Sequence, residues 1–417
     1  MIKTQPLHID AVVVGGGHAG LSVSRCLSDR EIDHVILEKA EVANSWKTER
    51  WDSLRLLTPN WQSQLPGFSY KGGDPHGFMS RSEVVDFIER YADVVSAPIE
   101  INTKVKSVCS RGDGYELETN RGLYKCRSVV LATGACNIAN IPELSKSIPT
   151  SVNTITPINY QTPDQLTEGG VLVVGASATG IQLAYEIHKS GRPVTLSVGE
   201  HVRIPRTYRG RDVFWWMDAT SISDECYTDV DDINRARSLP SPQLTGSLKN
   251  TLFDLNYLRT LGIKIMGRLV GINNSQIQFS GSLKNTCMLA DLKMNRLLNT
   301  IDEWISTKSW DNGIEPPHRF PSTIVETSPT LSLDFYKNNI RTIVWATGFY
   351  PDYSWLKIPV LDRKGRIRHD GGITESPGLY LLGLNFLRRR KSSFIHGAQD
   401  DARDISTHLR NYLWRQS

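Results

Sequence analysis

IDAVVVGGGHAG (residues 9–20) is a short apolar run closed by Gly15, Gly17 and Gly20 in G-x-G-x-x-G spacing. It reads as a buried parallel strand, a tight turn and the start of a helix. Gly15 permits the turn, Gly17 lets backbone approach a diphosphate, and Gly20 lets the helix pack close to the strand. The helix N-terminus would face an anion with unpaired N–H groups and the positive end of its dipole. These glycines alone would suit an ordinary α/β turn. That reading leaves Glu38 unexplained. Glu38, with Lys39 beside it, closes a second apolar run (residues 34–37) and stands 23 residues after Gly15. An acid there binds ribose hydroxyls, so the stretch reads as a dinucleotide site.

The pattern then recurs. GVLVVGASATG (residues 170–180) gives Gly175, Ser177 and Gly180 in the same spacing, with Ala178 and Thr179 between them. A helix is expected over residues 181–189 and a strand over 194–197. Here the acid is missing: the position 22 residues after Gly175 is Ser197, and Arg203, Arg206, Arg209 and Arg211 follow. A small hydroxyl followed by arginines suits a 2′-phosphate, whereas Glu38 suits a free ribose hydroxyl. The asymmetry points to FAD in the first unit and NADPH in the second. The other reading of the arginines is a solvated basic loop. Each unit also ends in A-T-G, Ala132-Thr133-Gly134 in the first and Ala346-Thr347-Gly348 in the second. Such a turn brings backbone close to a bound dinucleotide.

These repeats imply an α/β fold of two Rossmann-like dinucleotide-binding domains. Residues 1–160 begin the FAD domain, 161–340 form the NADPH domain, and 341–417 return to the FAD domain. The second unit is longer, and its surplus is expected as a helical insertion at about 211–310, forming either a substrate wall or a packing or homodimer surface. A capping box, Ser80 with Glu83, opens a helix carrying Val84, Val85, Ile88 and Tyr91. Residues 103–109, 115–119 and 122–126 read as a small antiparallel set, and 128–131 as a separate buried strand. The irregular stretch 42–68 holds Trp46, Trp51 and Trp61. Trp46 reads either as a ring stacked near a cofactor or as a core aromatic.

Length and composition agree with this division. The chain of 417 residues is too long for one simple core. A net charge of +4 is too small to argue for nucleic acid or a membrane as a partner, and neither is expected. No apolar run reaches the roughly 18 residues of a membrane span, and no secretory pattern is present, so a cytoplasmic protein is expected. Six cysteines without C-x-x-C are expected as free thiols, and the ten histidines form no ligand spacing, so no metal is expected.

The motifs together resemble the class B flavin monooxygenases, and within them the bacterial CzcO-like group. VVVGGGHAGLSVS (12–24), TPNWQSQLPGF (58–68), DPHGFMSRSEVVDFIERYA (74–92), VLATGACNIANIP (130–142), VLVVGASATG (171–180), RIPRTYRGRDVFWW (203–216), IVWATGFYPDYSWL (343–356) and GLYLLGLNFLRRRKSSFIHGAQDDA (378–402) carry the resemblance. It implies an FAD enzyme that uses NADPH and O₂, forms a C4a-(hydro)peroxyflavin and oxygenates a small organic substrate at nitrogen, sulfur or a carbonyl. It further implies that Gly15, Gly17, Gly20 and Glu38 hold the ADP part of FAD. Gly383, Gly397 and Gln399 would lie near the isoalloxazine, with the last helix aimed at its pyrimidine. Gly175, Ser177, Gly180, Arg203 and Arg206 would hold NADPH. Trp46 and Asn60 are the catalytic candidates beside the flavin. Asn60 would hydrogen-bond the peroxide, or else is a turn residue after Pro59.

One family motif is altered. The positions of F-x-G-x-x-x-H-x-x-x-Y/F are held by Thr150, Val152, Thr156 and Tyr160, so only the tyrosine remains. That departure leaves two alternatives open: an NADPH-dependent flavin oxidoreductase or oxidase without oxygen insertion, and a flavin-binding regulator.

Overall fold

Strand pairing repeats the doubled motif. The computed structural model describes residues 7–249, 251–308 and 313–415. Strand Leu7–Val14 runs parallel to His34–Leu37 on one side and to Leu123–Leu131 on the other. The sheet ends at Ile99–Glu100 on one side and on the other continues through Leu379–Leu381 to the short antiparallel strands Ile373–Thr374 and His369–Asp370, so the end of the chain returns to the sheet the beginning started. A second sheet is parallel throughout, in the order Asn153–Ile155, Ile340–Trp345, Gly170–Val174, Val194–Ser197 and Lys264–Met266.

The apolar runs become central strands because both faces are covered. Val12 and Val13 are adjacent and both fully buried, each facing a different core. The helices His18–Ser28 and Gly397–Arg415 cover one face through Leu21, Leu27, Ile405 and Leu409. The other face packs Val108, Leu117, Leu356 and Leu387. Ser80 does cap helix Arg81–Val94, with the Ser80 N–H donating to Glu83 Oε2 at 2.7 Å.

Three expectations change. Leu123–Leu131 is one continuous nine-residue strand, which pairs antiparallel with Gly114–Thr119 and parallel with Leu7–Val14. The 211–310 stretch is not a helical insertion throughout. It supplies Lys264–Met266, the fifth parallel strand, and then Leu269–Asn273 and Gln276–Phe279, which form an antiparallel three-stranded sheet with Ser332–Asp334. Its long helix is Leu283–Lys308, and Trp310, at the expected end, lies outside the described residues. These strands are three to five residues long, too short to show a period in the sequence. The second sheet also takes in Asn153–Ile155, ahead of residue 161, and its strand Ile340–Trp345 runs beyond residue 340.

Candidate functional site: two glycine cradles

The two glycine turns match in their backbone. Gly15 and Gly175 have φ of +113° and +108°. A Cβ on Gly15 would lie 2.5 Å from the Ala132 carbonyl oxygen, and one on Gly175 would lie 2.3 Å from that of Ala346. A Cβ on Gly20 or Gly180 would stand 1.9 Å from the oxygen of Gly15 or Gly175 respectively. The alanine of each A-T-G thus packs against the turn, and Gly134 and Gly348 follow with φ of +74° and +94°. Gly17 and Ser177 are the N-cap residues of helices His18–Ser28 and Ala178–Lys189, in nearly the same extended conformation and without a side-chain cap. A Cβ on Gly17 would meet nothing within 4 Å. That open space above an uncapped helix N-terminus suits a diphosphate.

Above the first cradle opens a cleft of about 460 Å³ at the C-terminal ends of the strands, where open α/β sheets bind ligands. Gly15, Gly17, Glu38, Lys39, Trp46, Ala132, Thr133, Gly134 and Gly383 line it. Glu38 Oε2 accepts from the Gly16 N–H at 2.7 Å and Oε1 from the Ala40 N–H at 3.1 Å. Lys39 pairs with Glu49 at 3.4 Å, and the Arg50 guanidinium lies 5.8 Å from the Trp46 ring centroid. Sequence reasoning missed His18, Arg50, Lys104, Cys136, Asn137, Asp352 and Trp355, which also line the cleft. The spacing of Arg50 from Trp46 is the one local signal among them. Burial lowers the His18 pKa to about 4 and raises that of the Cys136 thiol. The His18 ring is therefore neutral at pH 7, and its Nε2 is buried without a partner. A cleft of similar volume at His8, Asp10 and Arg127 opens at the other end of the strands.

Gly397, Gln399 and Asn60 do not line the first cleft. Gly397 opens the last helix, packed so closely that a Cβ would lie 1.8 Å from the Lys391 carbonyl oxygen. Asn60 behaves as a turn residue. Its N–H and its Nδ2 donate to the carbonyls of Gly77 and Asp74, both at 2.9 Å. Nearby, Gln62 Nε2 donates to Asp218 Oδ2 at 2.8 Å. Asn60 Oδ1, Gln62 Oε1 and both ring nitrogens of His396 are buried without partners. Burial lowers the His396 pKa to about 4, against the opposing charges of Asp218 and Asp400.

The second cradle corrects the arginine assignment. Arg203 is 1% exposed, with Nε and Nη2 on Asp254 and Nη1 on Asp291. Arg206 is equally buried; it pairs with Asp212 at 3.3 Å and donates to the carbonyls of Leu57 and Thr245. Arg209 pairs with Asp302, and Arg211 lies over the Trp215 ring. Both the phosphate role of Arg203 and Arg206 and the solvated-loop reading fail on this burial. Ser197 is also turned inward, bonded to Gly267 and Leu269. The register pairs Val14 with Leu37 and Val174 with Ser197, so the counterpart of Glu38 is Val198.

Residues 239–246 cross the second turn. The Ala178 N–H donates to the Ser241 carbonyl at 3.4 Å, Gln243 Nε2 to the Ala176 carbonyl at 2.8 Å, and Gln182 Nε2 to the Leu244 carbonyl at 2.7 Å. The altered linker has structural work. Val152 and Tyr160 are core residues, and the Tyr160 hydroxyl donates to Glu186 at 3.1 Å. The six cysteines are free. Among the described residues there is no metal-ligand cluster, and no helix is long and apolar enough to cross a membrane.

Two such cradles, each at the ends of parallel strands in its own sheet, the second unit inserted in the first, define the class: a protein with two dinucleotide-binding units. Residues 12–210 match the family described as pyridine nucleotide-disulphide oxidoreductase. An uncharacterized CzcO-like oxidoreductase of Geobacillus kaustophilus (strain HTA426) is 32% identical over 97% of this chain and 99% of its own. The chain belongs to the CzcO-like oxidoreductases. The probable indole-3-pyruvate monooxygenase YUCCA8 of Arabidopsis thaliana is 27% identical over about half of each chain, 49% and 50%. In fold, the chain is similar to a flavin-containing monooxygenase from Stenotrophomonas maltophilia, with a TM-score of 0.68, 18% identity and coverage of 97% and 99%.

Proposed function

We propose that this oxidoreductase is an NADPH-dependent FAD monooxygenase that oxygenates a small organic molecule at nitrogen, sulfur or a carbonyl carbon. The observation that carries the reading is the matched pair of cradles, one beneath an open cleft and one on a separate sheet. Bound FAD would supply the acceptor for the NADPH hydride and the activation of O₂. The chain supplies binding and orientation. Gly15, Gly17 and Gly20 shape the turn that receives the FAD diphosphate, and Glu38 accepts from the ribose hydroxyls. Gly383 and Trp46 bound the cleft beyond them. Gly175, Ser177 and Gly180 repeat the turn for NADPH.

The test is rapid mixing. The FAD-loaded protein is reduced by NADPH without oxygen and then mixed with aerated buffer containing a thioether, an amine or a ketone. A flavin spectrum that is neither reduced nor oxidised, followed by oxygenated product, is the expected result. Direct return to oxidised flavin with stoichiometric H₂O₂ for every substrate would overturn oxygen insertion. Failure of NADPH to reduce the flavin would overturn the enzyme reading.

A further inference from the structure

The two units can be laid on each other through their hydrogen bonds. The Gly15 N–H donates to Leu37 O, and the Gly175 N–H to Ser197 O, both at 2.9 Å. Leu37 pairs with Glu100 and Ser197 with Met266 in the third strand of each unit. The next amides agree as well: the Glu38 N–H donates to Glu100 O at 3.0 Å and the Val198 N–H to Met266 O at 2.9 Å. Counting on from the third strand, Arg268 in the second unit stands where Asn102 stands in the first. In the first unit this turn borders the cleft through Thr103 and Lys104.

The second unit has no acid at the position of Glu38, since Val198 carries no polar side-chain atom. Instead it fixes the backbone on both sides of Arg268. Ser197 Oγ donates to Gly267 O at 3.0 Å and accepts from the Leu269 N–H at 2.9 Å. The Ser280 N–H donates to Arg268 O at 2.8 Å. Gly267 is packed so tightly that a Cβ would lie 2.0 Å from Ser280 O. From this held backbone the Arg268 side chain runs over the turn after Val194–Ser197, its Cγ 3.9 Å from where a Cβ on Gly199 would stand. The side chain is exposed, and among the described residues its guanidinium has no hydrogen-bond or ion-pair partner. The neighbouring cation Lys293 is engaged with Glu200 at 3.1 Å.

We propose that Arg268 reads the 2′-phosphate of the pyridine dinucleotide and thereby selects NADPH over NADH. The inference rests on the second glycine turn being the pyridine-nucleotide site. A guanidinium is suited to the task, because its planar fork meets a phosphate with two parallel hydrogen bonds. The acid of the first unit would repel the same phosphate.

The experiment is a pair of binding titrations on the full FAD-loaded protein, with NADP⁺ and NAD⁺ followed by calorimetry, for the wild type, Arg268→Ala and Arg268→Lys. The wild type is expected to prefer NADP⁺. Arg268→Ala is expected to weaken NADP⁺ about 10- to 100-fold, the range of a lost charge-assisted contact, and to leave NAD⁺ unchanged. Arg268→Lys should retain part of the preference, and the wild-type preference should narrow with added salt. Unchanged NADP⁺ affinity in Arg268→Ala would overturn the proposal. So would an equal loss for both nucleotides, which would make Arg268 a support of the turn. A wild type that binds both nucleotides equally overturns it while leaving the site intact. A wild type that binds neither overturns the site itself.

Discussion

Glu38 Oε2 accepts a hydrogen bond from the Gly16 N–H at 2.7 Å, so the acid that would hold the ribose is already fixed to the turn that would hold the diphosphate. The carboxylate also takes the Ala40 N–H and is 8% exposed. It is therefore oriented before any ligand arrives, which lowers the ordering cost of binding. Glu38→Ala is expected to weaken FAD about 10- to 100-fold, the loss of a hydrogen bond to a charged acceptor together with that orientation. Flavin fluorescence during titration of the apoprotein measures it. Unchanged FAD affinity would remove Glu38 from the site.

Gly17 and Gly20 separate binding from folding. A methyl on Gly17 meets no protein atom, and the φ of −87° suits alanine. Gly17→Ala should fold with a thermal midpoint near that of the wild-type apoprotein yet fail to retain FAD. A methyl on Gly20 would collide with Gly15 O at 1.9 Å, so Gly20→Ala should lower stability by several kcal/mol, within the range of overpacked core sites. Calorimetric unfolding of both apoproteins decides it. Equal destabilisation would show that Gly17 is a folding residue too.

Much of this site was legible in the sequence because its demands are local. A positive φ at Gly15 and a steric limit at Gly20 require glycine within a few residues, whatever the rest of the chain does. The alternation of Val12 and Val13 between two cores reads directly as a doubly covered strand. The arginines were not legible for the opposite reason. The fate of Arg203 depends on Asp254 and Asp291, which are 51 and 88 residues away. Arg268 follows a three-residue strand that carries no period of its own. Ser197 was found but misread: Glu38 stands 23 residues after Gly15, the same count from Gly175 reaches Val198, and the register agrees.

Arg203 gives the contrasting mutation. It holds two carboxylates in the interior, and Asp254 in turn caps helix Leu255–Thr260 by accepting from the Tyr257 N–H at 3.0 Å. Arg203→Ala would leave two buried carboxylates without their cation. A stability loss of about 3–5 kcal/mol is expected, read from denaturant unfolding. In whatever fraction folds, the preference for NADP⁺ over NAD⁺ should persist. Loss of that preference at unchanged stability would restore Arg203 to the phosphate.

Two groups at the start of the last helix should respond to acid in opposite directions. Burial raises the Asp401 pKa to about 6, even with Arg389 at 2.9 Å, while burial lowers that of His396 to about 4. The folded value of Asp401 lies above its unfolded value of about 3.9. Its contribution is thus full below pH 4 and is lost as pH rises through about 6. The folded value of His396 lies below its unfolded value of about 6.5. Its contribution is full above that pH and is lost as pH falls through about 4. In the wild type the two slopes oppose each other between about pH 4 and 6. Relative to wild type, His396→Gln should make stability rise more on acidification over that range, and Asp401→Asn should make it fall more steeply. Urea midpoints at several pH values test this, and parallel curves for all three proteins would refute it.

The crossing of residues 239–246 over the second turn sets a kinetic expectation. A dinucleotide diphosphate at this helix N-terminus competes with the Ser241 carbonyl for the Ala178 N–H, a long contact of 3.4 Å. The segment is held by Gln243 Nε2 on the Ala176 carbonyl, by Gln182 Nε2 on the Leu244 carbonyl, by the Gln243 N–H on the Val202 carbonyl and by Arg206 on the Thr245 carbonyl. Each such bond contributes about 1 kcal/mol. Gln243→Ala should therefore ease displacement of the segment and raise the NADP⁺ association rate by roughly fivefold, measured by stopped-flow tryptophan fluorescence. In the wild type, NADP⁺ should increase hydrogen exchange across residues 239–246, because the segment yields its contacts to the ligand. Protection of the segment on binding would mean that it closes over the nucleotide and leaves the Ala178 N–H to the phosphate without moving aside.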